Sequence, residues 1–473
     1  MRITRRRVLA GAMGGAATGL LSGCAPPTEK ADVIVIGAGL AGLHAARLLE
    51  SLGASVIVLE ANSRVGGRVN TRYDADGAPE LGAADVGALY ARVLDTAAEL
   101  EVPLAPWPDS PPGYWFHIGG KAFTAEQWPE LNINPLQGDL RAVSPAALSR
   151  MFLPRPNPLP RLGAWLDDEF AALDGPYGDY LQSQGAPAAA LPLLEIGAQL
   201  GSLDAESALW KLHGIKFSME SMGTAMAQNL PLRQYVPGGM SRLTDAMAAS
   251  LQSEVRLEHA VRGIENGADS VAVSCSNGRR FAAEFAICTL PLPALRQVAL
   301  TRPLPELANA AVNDIPYGRA TSVVLRVVEP YWEADGLPPN LWSDTVLQRA
   351  FLNPSPTGEG NHLWVFSTGS ADLSGSDMTE AEIGEYVLRK VNELRPSTVG
   401  RLAVGAVRAF TRDPLAGGTY ATRAPGQVQR FKNVLAQPLG RLLLAGEHTA
   451  ELNSGMEGAM ESGERAALAV GAA

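Results

Sequence analysis

Gly37, Gly39 and Gly42 form a GxGxxG run directly after the β-branched stretch Asp32–Ile36, and Glu60 follows eighteen residues after the last glycine. Each position has a physical task in holding a dinucleotide. Gly37 permits a tight turn, Gly39 lets backbone amides approach a pyrophosphate, and Gly42 allows close packing of helix on strand. Leu40 and Ala41 complete the turn, whose helix N-terminus presents its positive end to phosphate. Glu60 stands where a carboxylate accepts hydrogen bonds from a ribose. Just beyond, Arg64-Val65-Gly66-Gly67-Arg68 places two arginines around a glycine pair. The arginines are suited to neutralising a pyrophosphate and the glycines to admitting its bulk. Neither a Ser–His–Asp set nor a metal-ligand cluster accompanies them, and His117, His213 and His362 are scattered and read as structural or surface residues. No metal is expected.

These residues need a strand, a helix and a second strand to position them. The pattern predicts a buried parallel strand over Asp32–Ile36, a helix over Leu43–Leu52 and a strand over Ser55–Leu59. Further on, Asn277-Gly278 predicts a hairpin pairing Val271–Ser276 with Phe281–Cys288. In that register Cys275 and Cys288 are not opposite each other, so both are expected to be reduced and buried. Residues 141–230 are rich in Leu, Ala and Met at helical spacing and predict a mostly helical cap. Val323–Val328 and Leu363–Phe366 read as strands.

Composition narrows the rest. The 473 residues exceed one ordinary domain, and 46% apolar against 19% charged residues permits a large core. A net charge of −10 without a basic cluster argues against nucleic acid as a partner. Three cysteines cannot build a disulfide scaffold or a four-cysteine zinc site. Arg2, Arg5, Arg6 and Arg7 precede an uncharged run from Val8 to Gly23, which has the order of a signal peptide. Thr4-Arg5-Arg6-Arg7 resembles a twin-arginine signal, and Leu21-Ser22-Gly23-Cys24 a lipobox. Residues 1–30 are therefore expected to be a leader and tether, with the body exported, periplasmic or in the cell envelope, and anchored to the membrane through lipid at Cys24.

With Glu60-Ala61 before it, the 64–68 segment resembles the second phosphate loop of the flavin amine oxidase family, which includes monoamine and polyamine oxidases. Ordered blocks extend that resemblance along the chain: Glu80-Leu81-Gly82-Ala83, Tyr235–Met240, Val261, Thr289-Leu290-Pro291, Tyr331-Trp332, Gly417-Gly418-Thr419-Tyr420, Leu442–Glu447 and Gly455-Met456-Glu457-Gly458-Ala459. The resemblance implies an α/β fold: a Rossmann-like FAD domain from 31–107, 232–296 and 405–473, with an inserted α+β substrate domain from 108–231 and 297–404. It implies that Gly82 and Ala83 pass near the flavin ring and that Val261 contacts adenine. Gly446 and Glu447 would lie near the ribityl and phosphate groups. Gly455, Met456 and Ala459 would open a helix aimed at the ring.

Three departures from the family pattern carry information. Thr419 occupies the position at which monoamine oxidases attach FAD through cysteine, so FAD is expected to be noncovalent. Ser322 occupies the position of a lysine that in many relatives holds a water near the flavin and aids reaction with oxygen. No lysine occurs between Lys216 and Lys390, which argues against fast use of oxygen and leaves the acceptor as oxygen or an exported electron carrier. Of the two tyrosines that flank the substrate nitrogen in monoamine oxidases, Tyr420 matches one, while the other falls near Asn453-Ser454-Gly455. Asp85 stands where relatives often carry an aromatic; it either faces the pocket to recognise a second positive charge or caps a local turn.

The resemblance implies oxidation of an amine C–N bond by hydride transfer to flavin N5, giving an imine that hydrolyses to a carbonyl product. Tyr420, Ser322 and Asp85 are the candidate catalytic residues. An L-amino-acid oxidase is the first alternative and requires an arginine for the carboxylate, with Arg233 and Arg319 as candidates. A desaturase of a hydrophobic substrate is the second, and a flavin-binding redox partner lacking its own substrate is a third.

Overall fold

Val33, Ile34, Val35 and Ile36 are all at most 1% exposed because the strand they form is covered on both faces. A strand alternates its side chains, and the two sets enter different cores. Val33 and Val35 pack with helix residues Leu43, Leu49, Met456 and Met460. Ile34 and Ile36 pack with Val271, Val273, Phe281, Leu292 and Tyr317. This computed structural model describes residues 28–108 and 111–472. The twin-arginine and lipobox segments, Cys24 included, lie outside the described residues.

The first sheet runs in the order Ala299–Leu300, Val261–Asn266, Val271–Cys275, Arg280–Cys288, Glu29–Ile36, Val56–Leu59, with Leu442–Leu444 also joined to Arg280–Cys288. Ala286 is the hub: it lies opposite Ile34 on one side and Leu442 on the other, both in parallel register. Parallel neighbours need long connections between them, and here these carry the rest of the chain. The hairpin forms with Val271 opposite Ala283 and Ser274 opposite Arg280, which separates Cys275 from Cys288. Both thiols are free and buried, and burial pushes each up to about 11.

The second sheet has the order Leu402–Ala409, Ala320–Val327, Asn361–Thr368, Arg349–Pro354, Asn340–Ser343, Tyr114–Ile118, Lys121–Thr124. Its faces also divide by alternation. Val323, Leu325, Leu363 and Val365 turn outward onto Ile383, Val387 and Val391 of the helix Glu380–Leu394. Val324 and Ala406 turn inward onto Leu81, with Trp364 beside them. The glycine-containing 80–83 segment therefore lies between the two sheets.

Three sequence expectations need correction. The region 141–230 is not mostly regular helix: short 3-10 turns such as Leu148–Phe152, Leu162–Leu166 and Asp168–Leu173 precede one long helix, Ala208–Ala227. Frequent prolines, including Pro154, Pro156, Pro158 and Pro160, interrupt helical hydrogen bonding there. The boundary placed at 297 lies too early, because Ala299–Leu300 pairs within the first sheet and Ala308, Ala311 and Val312 enter its core. The boundary placed at 405 cuts the strand Leu402–Ala409, which belongs to the second sheet.

The C-terminal helix Met456–Gly471 crosses the first helix, Leu40–Ser51, at close range. A Cβ at Gly463 would stand 2.3 Å from the Ala41 carbonyl oxygen, a backbone atom with little room to move. Gly463→Ala should therefore push the two helices apart and cost about 1–3 kcal/mol. Thermal unfolding of the flavin-loaded protein measures this, and an unchanged midpoint would contradict the packing argument.

Candidate active site

A cavity of about 300 Å³ opens between the two sheets. Its lining begins at the first turn, where Gly37, Gly39, Leu40 and Ala41 present backbone. Gly42 is absent from the lining because its task is internal: a Cβ there would fall 1.9 Å from the Gly37 carbonyl oxygen. Gly66 donates its N–H to Ala38 at 2.8 Å, laying the 64–68 loop against the turn. Gly66 holds φ at +99°, and a Cβ would strike the Val69 carbonyl oxygen at 2.8 Å. Gly82 passes so close to Arg68 that its Cβ would lie 1.8 Å from that carbonyl oxygen.

Glu60 is buried at the end of the second strand. It accepts from the Ala38 N–H at 2.8 Å and from the Asn62 N–H at 2.8 Å. A carboxylate offers about four acceptor positions, so capacity remains for a ribose hydroxyl. The two arginines divide in role. Arg64 braces its own loop, donating to the carbonyls of Val65, Gly67 and Val69 at 2.8–3.0 Å. Arg68 donates to Glu447 at 2.8 Å and to the Thr419 carbonyl at 2.9 Å. Burial alone would depress Arg68, but the Glu447 carboxylate prevails and holds the guanidinium above its ordinary range.

Every residue assigned to cofactor binding from sequence, other than Gly42, lines this cavity: Ala61, Gly67, Ala83, Val261, Gly446, Gly455, Met456 and Ala459 complete the set. Such a lining fits a flavin dinucleotide. Glycine backbone stands where side chains would obstruct, an acid ends the second strand, and the helix Met456–Gly471 begins at Gly455 with no side chain capping its first amides.

The candidate catalytic residues fare differently. Tyr420 lines the cavity, and its hydroxyl is pushed up to about 12, by burial first and the Glu206 carboxylate second. It is a neutral phenol at ordinary pH. Ser322 does not reach the cavity. It is fully buried on the inward face of its strand, and its hydroxyl accepts from Trp364 Nε1, so the indole stands between it and the lining. Asp85 does not point inward either. It is half-exposed and pairs with Arg233 at 2.7 Å, while Arg233 stacks on Trp107 at 4.1 Å. The strong cation beside it accounts for that direction. Arg233 is thereby committed elsewhere, and Arg319 is half-exposed, 3.6 Å from Asp372; neither lines the cavity.

Sequence reasoning missed the second sheet's contribution. Trp364, Phe366, Arg408, Phe410 and Asp413 all line the cavity, so Tyr420 is not its sole aromatic ring. Arg408 donates to Asp413 at 3.0 Å and to the Leu81 carbonyl at 3.3 Å. Alternation within the predicted strand Leu363–Phe366 was the available signal, since two aromatics at spacing two must share a face. A second cavity of about 20 Å³ shares Trp364 and contains Glu80 and His362.

The family model for flavin containing amine oxidoreductases matches residues 40–471. The chain is 28% identical to the flavin-dependent L-tryptophan oxidase RebO of Lentzea aerocolonigenes over 93% of its length and 97% of that protein's. It is 27% identical to human flavin-containing amine oxidase B, over 93% of this chain and 86% of the relative. Among solved structures, putrescine oxidase bound to putrescine superposes with a TM-score of 0.78 at 22% identity, covering 94% of this chain and all of that one. Cyclohexylamine oxidase from Brevibacterium oxydans gives 0.75 at 22% identity, covering 93% and 99%.

Glu80 provides a pH test of the packing around the site. Its carboxylate accepts from the Met240 N–H at 2.6 Å and the Thr71 hydroxyl at 2.9 Å, yet burial raises it from 4.5 to about 7. The folded chain keeps this proton where the unfolded chain has lost it. The resulting stability is present in full below pH 4.5 and is lost as pH rises through about 7. Wild type should lose stability relative to Glu80→Gln between about pH 5 and pH 8 in urea titrations. Parallel curves would show that Glu80 ionises normally.

Proposed function

The chain belongs to the flavin-containing amine oxidoreductase family, and from that premise we propose how its cavity divides the work. The protein is an FAD-dependent oxidoreductase acting on the C–N bond of an amine. FAD, held noncovalently, supplies the acceptor for hydride from the carbon beside nitrogen, and the imine so produced hydrolyses to a carbonyl compound. Gly37, Gly39, Leu40, Ala41, Gly66 and Gly67 would bring backbone amides to its pyrophosphate, with Arg64 and Arg68 as fixed positive charge. Glu60 and Ala61 would meet the adenosine ribose, and Val261 the adenine. Gly82, Ala83, Gly446, Glu447, Gly455, Met456 and Ala459 would surround the ribityl chain and ring. The observation that carries this reading is the convergence of segments from widely separated parts of the chain on one cavity.

Tyr420, Trp364, Phe366 and Phe410 make the other part of the lining aromatic. An amine entering it loses water, which favours its neutral form, the form that gives up hydride. Electron-rich ring faces steer whatever positive charge remains. Tyr420 keeps its proton, so its role is to orient the substrate and exclude water.

Oxygen as acceptor fits the family. We favour slow use of oxygen and an exported electron carrier as the better acceptor. In support, the lining contains no lysine among the described residues, and Trp364 covers Ser322. Export itself rests on the arginine cluster and the Leu21–Cys24 order. With Cys24→Ala, protein in the membrane fraction should move to the soluble envelope fraction; an unchanged distribution would refute the anchor.

The deciding experiment is anaerobic. Mono- and diamines mixed with purified protein should bleach the flavin, and admission of air should restore colour slowly. Tyr420→Ala should slow bleaching at least tenfold (on the order of 1.4 kcal/mol) with flavin content unchanged. Loss of flavin in that variant would place Tyr420 at the wrong part of the cavity, and fast recolouring would remove the argument from Ser322.

A further inference from the structure

Trp364 belongs to two cavities at once. It lines the main cavity of about 300 Å³ and also the second one of about 20 Å³. The strand Asn361–Thr368 explains how. Phe366, Trp364 and His362 alternate along it and so share the inward face, spaced about 6.6 Å apart. Phe366 lines the main cavity alone and His362 the second alone, with Trp364 between them. The two spaces therefore follow one another along a single sheet face, and the indole forms part of the wall that divides them.

The second cavity is too small to take a ligand by itself, since about 20 Å³ admits roughly one water. Its walls are nonetheless largely apolar, with Trp107, Tyr235, Val324, Pro354 and Pro356 among them. With the indole moved aside, it would lengthen the aromatic part of the main cavity.

Empty space on two sides deprives the indole of packing partners there. Leu81, Val324 and Ala406 touch it elsewhere, and Phe366 meets it edge-on, with 6.3 Å between ring centroids. Its polar restraint is Ser322. Trp364 lies directly opposite Val324, and Ser322 stands two residues before Val324, opposite Phe366. A diagonal neighbour of this kind is within reach of an aromatic side chain, and Trp364 Nε1 donates to the Ser322 hydroxyl. Ser322 is wholly buried, and among the described residues its hydroxyl has no other side-chain hydrogen bond. A lysine at this position would send a four-carbon stem into the space that the indole takes. It would also meet the indole N–H with a second donor.

We propose that Trp364 is a specificity-determining residue that ends the amine pocket and limits the length of the substrate, with Ser322 as the positioning residue that keeps the indole across the opening. This rests on reading the main cavity as the amine site. Amines with a short link between ring and nitrogen are then preferred over those whose chain must pass the indole.

The test compares chain lengths by two readouts. Holoenzyme is mixed anaerobically with benzylamine and with phenylbutylamine at equal, subsaturating concentration, and the rate of flavin bleaching is recorded. Benzyl alcohol and phenylbutanol, which have no C–N bond to oxidise, are titrated separately, and the flavin absorbance spectrum reports binding. Wild type should favour the shorter compound at least about tenfold in both series. W364A should abolish that preference by joining the two cavities. S322A should weaken it, and should change nothing further when added to W364A, because both substitutions act through one hydrogen bond.

Equal handling of the two lengths by wild type overturns the proposal, and that comparison needs no variant to fold. An undiminished preference in W364A with normal flavin content overturns it as well. S322A that behaves as wild type, or that adds its own effect to W364A, overturns the role given to Ser322. Length-dependent alcohol binding that W364A relieves, without bleaching by either amine, would keep the partition and remove the amine reading. Bleaching by both amines with a preference indifferent to W364A would do the reverse.

Discussion

Glu447 is buried at the end of the strand Leu442–Leu444, and its carboxylate has to be neutralised where it stands. Arg68 does so at 2.8 Å and also donates to the Thr419 carbonyl, while the Ala421 N–H reaches Glu447 at 3.2 Å. One ion pair thus fastens the 64–68 loop, the 419–421 segment and the last strand together. The 64–68 loop is 351 residues from Thr419 and 379 from Glu447 in the chain, and meets them because Arg280–Cys288 holds Glu29–Ile36 on one side and Leu442–Leu444 on the other. Removing either partner would leave an uncompensated buried charge. The loops around the cavity are accordingly fixed by electrostatics and the sheet beneath them by apolar burial.

The second constraint is close backbone approach. Gly42, Gly82, Gly458 and Gly463 each sit where a Cβ would lie within about 2.3 Å of a carbonyl oxygen, which no rotamer change relieves. They bring helix to turn, segment to loop and helix to helix at distances that side chains forbid. The space so released is the cavity. Its polar part is made largely of backbone and arginine, and its aromatic part joins Trp364 and Phe366, alternate residues of one strand of the other sheet, with Phe410 and Tyr420.

What was legible in the sequence follows from these two constraints. The turn, Glu60, the 64–68 loop and the final helix are local patterns in which residue type and spacing carry the information, and all of them reach the cavity. Arg68 and Glu447 were each legible, but their pairing was not, since it depends on the order of strands in the sheet. That Trp364, Phe366 and Arg408 face the cavity was not legible for the same reason: a strand reveals which residues share a face, not which face meets the cavity. Asp85 misled because a lone carboxylate in a glycine-rich stretch gives no sign that Arg233 and Trp107 lie beside it. Proline density, more than apolar spacing, governs residues 141–207, which is why regular helix was overestimated there.

Noncovalent cofactor binding places its own demand on this arrangement. Thr419 lines the cavity, but its hydroxyl donates to the Gly318 carbonyl at 3.2 Å, and no cysteine lies in the lining. Retention then depends on many weak backbone contacts and on arginines that cannot move. A mobile arginine would lose conformational entropy on each binding event, whereas Arg64 and Arg68 are already held by carbonyls and by Glu447. The ion pair that stabilises the fold therefore also preorganises the phosphate site, because the same hydrogen bonds serve both purposes.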